Sequence, residues 1–142
     1  QEVDRKRREF TLVVEDSPAD RKIIVLLMAK FGYNTLSCSD GEEAWQTLQK
    51  TDEKIIAILS DILMPNMDGI EFLKKTRASE QFKDIPFVLI TTVIEEGYVQ
   101  KAVNLGATSY ILKPITFQKL SSKLQKIFPN REHDSSLITI RN

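Results

Sequence analysis

Ile55-Ile56-Ala57-Ile58-Leu59-Ser60-Asp61 decides how this chain folds: five apolar residues without polar alternation, closed by an acid. A strand with one wet face alternates apolar and polar side chains. An unbroken run of this length therefore reads as a strand buried on both faces. Thr11-Leu12-Val13-Val14, Phe87-Val88-Leu89-Ile90 after Pro86, and Ser109-Tyr110-Ile111-Leu112 have the same look, and Asn34 to Ser39 supplies one more strand. Helical signals fill each gap. Ser17 caps the first helix, Pro18 fits its first position and Asp20 suits its positive end. Ile23, Ile24, Leu27, Met28 and Phe31 recur at helical spacing in it, and Gly32 stops it. Asp40 and Glu43 occupy capping-box positions before a second helix, on which Trp45 reads as core packing. A Pro65/Gly69 loop leads into an amphipathic third helix, with Ile70 and Leu73 inward and Glu71, Lys74 and Lys75 outward. Val99, Val103 and Leu105 lie on a fourth that Gly106 ends, and Phe117, Leu120, Leu124 and Ile127 line a fifth.

Five strand–helix pairs with apolar strands predict an α/β fold, a doubly wound parallel sheet with helices on both faces. In such a sheet ligands bind at the carboxyl ends of the strands. One domain over residues 11–128 accounts for most of the 142 residues. A charged extension, residues 1–10, precedes it; Arg5-Lys6-Arg7-Arg8 is offset there by Glu2, Asp4 and Glu9 and reads as a solvated lead-in. A tail, residues 129–142, follows. It is polar from Arg131 to Ser136, with His133 expected in solvent, and then carries a short β-like run of Leu137, Ile138 and Ile140. That run reads as a disordered end, an added edge strand or the start of another domain. Gln1 in place of Met suggests a piece of a longer product.

Composition excludes several classes. Twenty Lys+Arg balance twenty Asp+Glu, which argues against direct nucleic-acid binding through phosphates. The longest apolar run, Ile23 to Ala29, is shorter than the roughly 20 residues of a bilayer span, so no membrane contact is expected. No secretory signal opens the chain. The single cysteine, Cys38, forms no internal bridge and suits a reducing, cytoplasmic setting.

The chemistry lies where strands end. Glu15-Asp16 follows the first strand, Asp61 the third, Thr91 closes the fourth, and Lys113-Pro114 follows the fifth. Each alone has an ordinary explanation, as loop solubility, a turn residue, strand propensity or a surface lysine. Brought to one crevice they put three carboxylates beside one ammonium, and carboxylates so crowded resist joint ionisation. A divalent cation relieves the conflict. An all-oxygen site with room for waters and phosphate oxygens favours Mg²⁺, and with no His or Cys nearby zinc fits poorly.

Glu15-Asp16, Asp61 with Met64-Pro65 and Asp68-Gly69 behind it, Thr91, and Gly106-Ala107 followed by Tyr110 and Lys113-Pro114 resemble the receiver domain of two-component response regulators. The resemblance covers about Thr11 to Phe128. It implies a flavodoxin-like strand order 2-1-3-4-5 and a phosphorylation switch rather than an enzyme acting on others. Asp61 then accepts a phosphoryl group from a histidine kinase or phosphotransfer protein. Glu15, Asp16, Asp61 and the Leu63 backbone carbonyl hold Mg²⁺, and Lys113 supplies the second positive charge. Thr91 donates its hydroxyl to the phosphoryl group, Tyr110 follows as the switch, and the Lys113–Pro114 bond is cis.

Two positions depart from the pattern of fast-resetting relatives: Leu63 and Val93 are apolar where polar groups would orient water, which predicts slow dephosphorylation. Thr92 is bulkier than usual and narrows access to Asp61. The signal is expected to leave through the fourth helix, fifth strand and fifth helix, to a protein partner or a second copy. Gly97 loosens the first turn of the fourth helix; Lys119, Lys123 and Lys126 on the fifth read as a solvated face. An Asp-nucleophile phosphohydrolase is the rival enzyme, but it needs a second acid where Leu63 stands. A receiver kept only as a docking module, and a flavin binder, which would need a Ser/Thr-rich loop in place of Glu15-Asp16, are weaker rivals.

Overall fold

The computed structural model describes residues 8–92 and 96–133. Among these, strands β1 (Glu9–Val14), β2 (Asn34–Cys38), β3 (Lys54–Asp61), β4 (Phe87–Thr91) and β5 (Ser109–Leu112) alternate with helices α1 (Pro18–Lys30), α2 (Gly41–Lys50), α3 (Gly69–Ala78), α4 (Glu96–Asn104) and α5 (Phe117–Ile127). All neighbouring strands pair in parallel in the order β2-β1-β3-β4-β5. The doubly wound α/β architecture and the strand order are both as expected.

Successive strand residues point to opposite faces, and here each face meets helices. Leu12, Val14, Ile58 and Leu89 enter the core shared with Phe72 and Leu73 of α3. Their neighbours Val13, Leu59, Val88 and Ile90 enter the core shared with Ile24 and Met28 of α1 and Leu120 and Leu124 of α5. No alternation of polarity is possible when both faces are dry, which is why the strands read as continuous apolar runs.

Capping follows the sequence with one displacement. Ser17 Oγ accepts from Asp20 N at 3.3 Å at the head of α1. Asp40 accepts from Glu43 N at 2.8 Å, but the Glu43 carboxylate returns to Ser39 N rather than closing the box on Asp40. A reciprocal capping box forms instead at α3, between Asp68 and Glu71.

Two expectations are corrected. Ile23 is 48% exposed, and so is much of Leu26, because α1 lays only a narrow stripe centred on Ile24 and Met28 against the sheet. His133 is 1% exposed, not solvated. After α5 the chain turns back through Arg131 N→Phe128 O (3.0 Å) and inserts the imidazole beside Tyr33. Trp45 packs edge-on against Phe82 at the border of the α3-side core, as expected of a packing residue. Among the α5 lysines only Lys126 is simply solvated. Lys119 donates to the carbonyls of Leu112 and Pro114, and Lys123 lies over the Tyr110 ring. Among the described residues no helix is long and apolar enough to cross a membrane. The readings of Val93, of residues 1–7 and of the Leu137–Ile140 run lie outside the described residues.

Candidate phosphoacceptor site

The parallel sheet delivers the chosen residues to one end. Glu15, just past β1, is fixed by Glu15 N→Cys38 O at 3.0 Å. Asp61 closes β3 and pairs in register with Ile90; Thr91 is the next residue of β4 and is buried. Thr91 O accepts from Lys113 N at 2.9 Å, which fixes the start of the β5–α5 loop, and the Lys113–Pro114 bond is cis.

The loop after Asp61 is held from beneath. Gly69 N donates to Ile62 O at 2.8 Å, and a Cβ on Gly69 would meet Asp61 O at 2.1 Å. Only glycine lets the head of α3 press so closely on the end of β3. Asn66, at φ +66°, donates its side-chain amide to Asp40 at 2.7 Å. Hydrogen bonds from Glu43 N and Asn66 hold the Asp40 carboxyl below its ordinary range.

Both oxygens of Asp61, which is 7% exposed, are engaged. Oδ1 accepts from Ile62 N at 2.7 Å and Oδ2 from Lys113 Nζ at 3.0 Å. Glu15 is fully buried; its Oε2 accepts from Ser17 N at 3.1 Å. Its Oε1 lies 2.8 Å from Lys113 Nζ, yet no hydrogen bond is directed at that oxygen, so the contact is ionic only. Asp16 sits at the rim, exposed. Carboxylate oxygens of Glu15, Asp16 and Asp61 lie within 4.8 Å of one another. The sequence missed a fourth acid: Asp20 Oδ2 is 3.0 Å from Lys113 Nζ. Its position in the sequence suits the positive end of α1; its place one turn beyond Asp16 is the signal that it also reaches the site.

Three carboxylates thus contact one ammonium, with Asp16 at the rim, and the protonation of Glu15 shows the strain. Burial pushes the Glu15 carboxyl up to about 7; the Asp61 charge adds to this, while Lys113 and Ser17 N oppose it. Burial alone would lower the Lys113 ammonium, but contacts with Glu15, Asp20 and Asp61 outweigh it and lift it above the ordinary lysine range.

The donor set fits a small hard cation. It is all carboxylate oxygen, two of its three members are buried, and one buried oxygen lacks a hydrogen bond. Leu63 is 56% exposed beside Asp61, Thr92 is exposed, and Tyr110 is 37% exposed, directed outward under Lys123.

The family model for the response regulator receiver domain matches residues 11–125. The chemotaxis protein CheY1 of Helicobacter pylori is 39% identical over 118 residues, 82% of this chain and 94% of that protein. The solved chemotaxis protein CheY4 of Vibrio cholerae superposes with a TM-score of 0.77 at 31% identity, covering 87% of this chain and all of that one. The receiver domain of a sensor histidine kinase from Pseudomonas aeruginosa, solved with a magnesium ion in its active-site cleft, gives 0.74 at 26% identity, over 85% of this chain and 97% of that one.

Proposed function

Because the chain belongs to the response regulator receiver domain family, whose general role is phosphorylation-dependent signalling, we propose that Asp61 is its phosphoacceptor. The observation that carries this is the Asp61 carboxylate at the end of a central strand, with Glu15 and Asp16 oxygens within 4.8 Å and the Lys113 ammonium 3.0 Å away. Phosphoryl transfer asks a protein for positioning and charge neutralisation more than for covalent work. The strand ends supply the first, and Lys113 supplies part of the second.

Glu15, Asp16, Asp61 and the Leu63 carbonyl would hold Mg²⁺, which when bound neutralises charge on the acceptor and on the transferring oxygens. Asp61 presents an oxygen lone pair to phosphorus. Lys113, 3.0 Å from the Asp61 carboxylate, offers its ammonium to the phosphoryl oxygens. Thr91, one residue past the register partner of Asp61, offers a hydroxyl to the new group. The added charge shifts an existing equilibrium between two arrangements of the β4–α4 side. Tyr110 is the switch residue on that side, and Tyr98 and Val103 expose further apolar surface on α4. The α4–β5–α5 face is therefore the reading for contact with a downstream protein or a second copy. The donor is a histidine kinase or phosphotransfer protein in the cytoplasm. The receiver unit spans residues 11–128 between segments 1–10 and 129–142, of which Glu9 and Phe10 join β1 and His133 packs against Tyr33. Leu63, exposed and apolar beside the acceptor, carries no polar group to orient water, which supports slow self-dephosphorylation.

Incubation with a small acyl phosphate, with and without Mg²⁺, tests the reading by intact mass. One phosphate should add, and neither Asp61→Asn nor a chelated sample should gain it. An adduct that survives in Asp61→Asn sinks the assignment.

A further inference from the structure

The geometry points to Asp20 as a positioning residue that discriminates among phosphodonors, favouring N-phosphorylated donors over acyl phosphates; this rests on Asp61 being the phosphoacceptor. An ammonium has three N–H groups. Around Lys113 Nζ stand three carboxylate oxygens, from Glu15 at 2.8 Å, Asp20 at 3.0 Å and Asp61 at 3.0 Å. Asp20 and Asp61 take two of its N–H groups and Glu15 closes on it as an ion pair, so a phosphoryl oxygen gains close contact with it only when one carboxylate gives way.

Exposure decides which one yields. The Glu15 side chain is 0% exposed and that of Asp61 9%, whereas Asp20 is 42% exposed. Releasing Glu15 would strand a buried charge, which is costly. Releasing Asp20 returns a carboxylate to water. Asp20 is therefore the exchangeable partner of Lys113. It is held in place by the first turn of α1, through its backbone N–H to Ser17 Oγ.

Asp20 and Lys113 also share the wall of an open cleft of about 360 Å³, together with Thr92, Pro114 and Ile115. A small donor approaching by this cleft meets the Asp20 charge beside the lysine. In transfer from an acyl phosphate, an Asp61 lone pair forms the O–P bond. The bond from phosphorus to the acyl oxygen breaks, and its electron pair leaves on a carboxylate. Negative charge then passes Asp20. In transfer from N-protonated phosphoramidate the same O–P bond forms, while the P–N bond breaks and its pair leaves on neutral ammonia. That donor carries positive charge on the nitrogen beside Asp20 beforehand. A cationic leaving group can engage Asp20 directly and release Lys113 to the phosphoryl oxygens; an anionic one is repelled and leaves the lysine tethered.

The test uses the full chain, Asp20→Asn and Asp20→Glu, with Mg²⁺ and with either acetyl phosphate or phosphoramidate, following adduct formation by intact mass. One unit charge several ångströms away at a partly exposed site is worth about three- to tenfold in rate. Asp20→Asn should speed acyl-phosphate transfer by about that factor and slow or leave unchanged transfer from phosphoramidate, the contrast shrinking as salt is raised. Asp20→Glu should keep the ratio of the unaltered chain, because the charge is restored. Any lowered folded fraction cancels from a ratio taken on one sample. An unchanged ratio in Asp20→Asn, or Asp20→Glu behaving like Asp20→Asn, overturns the role of Asp20 while leaving Asp61 as acceptor. A chain that takes phosphate from neither donor overturns the acceptor reading itself.

Discussion

The two ends of the β-sheet treat buried polar groups in opposite ways. At the carboxyl ends three acids share one ammonium, and a buried Glu15 oxygen has no hydrogen bond. At the amino ends a polar group is buried just as deeply and is fully satisfied. Tyr33, immediately before β2, donates its hydroxyl to His133 Nε2 at 2.6 Å, and His133 Nδ1 lies 3.1 Å from Gln125 Oε1. Those partners assign the neutral Nδ1–H tautomer. The imidazole stacks on the Tyr33 ring, Ser121 donates to the His133 carbonyl, and Arg131 covers the Tyr33 and Phe128 rings while pairing with Glu9. A satisfied network contributes stability and asks for no ligand; an unsatisfied one is stabilised by whatever arrives. The difference identifies which end works and which end clamps.

The largest effect should come from crowding the working end. Gly69→Ala puts a methyl group 2.1 Å from the Asp61 carbonyl oxygen, against backbone that has nowhere to go. We expect a loss of about 3 kcal/mol or more in urea unfolding, together with weakened Mg²⁺ binding followed by calorimetry. Near-normal stability with normal metal affinity would mean that the acceptor loop is looser than its contacts indicate.

The two ends should also respond to pH with opposite signs. Glu15 titrates near 7 in the fold against an ordinary 4.5. Its folded state holds a proton that the unfolded state releases, so stability falls as pH rises from 4.5 to 7, by about 3 kcal/mol in all. Mg²⁺ bound to the ionised form, as proposed, should flatten that slope; chelation should restore it, and Glu15→Gln should lack it. Burial moves the His133 imidazole below its ordinary 6.5, with Arg131 adding to the shift. Its contribution is full above 6.5 and is lost as pH drops below that value. Unfolding free energy measured across pH 4–8 in the two single variants, His133→Gln and Glu15→Gln, separates the slopes.

That contrast also explains what sequence alone could carry. The strands were legible because β1, β3 and β4 are dry on both faces over most of their length, and a parallel sheet must bring residues 15, 16, 61, 91 and 113 to one edge. Asp20 was not, because a carboxylate in the first turn of a helix is already explained by the helix dipole. His133 was hidden for a different reason. Its immediate neighbours are polar, and the partner that buries it lies 100 residues away. Local pattern reports an element's own periodicity; it says nothing about a side chain whose surroundings come from another part of the chain.

At the clamping end, Tyr33→Phe keeps the ring stack but removes the hydroxyl, leaving His133 Nε2 buried without a donor. The cost should be about 1–2 kcal/mol in urea unfolding, with phosphate uptake at Asp61 unchanged. A change in uptake would join the two ends into one unit and break the comparison.

The smallest effect tests what Arg131 adds. Its ion pair with Glu9 joins side chains 42% and 43% exposed, and exposed pairs contribute about 0–1 kcal/mol because water and salt screen them. The guanidinium also lies 5.2 Å from the centroids of both Tyr33 and Phe128, a planar cation over two rings that lysine does not reproduce. Arg131→Lys keeps the charge and loses the plane; Glu9→Gln loses the charge partner and keeps the plane. If stacking dominates, Arg131→Lys costs about 0.5–1 kcal/mol at any salt concentration, while Glu9→Gln costs a few tenths that vanish in high salt. The reverse ranking would make the clamp electrostatic, and the two ends of the sheet would then differ only in how well their charges are matched.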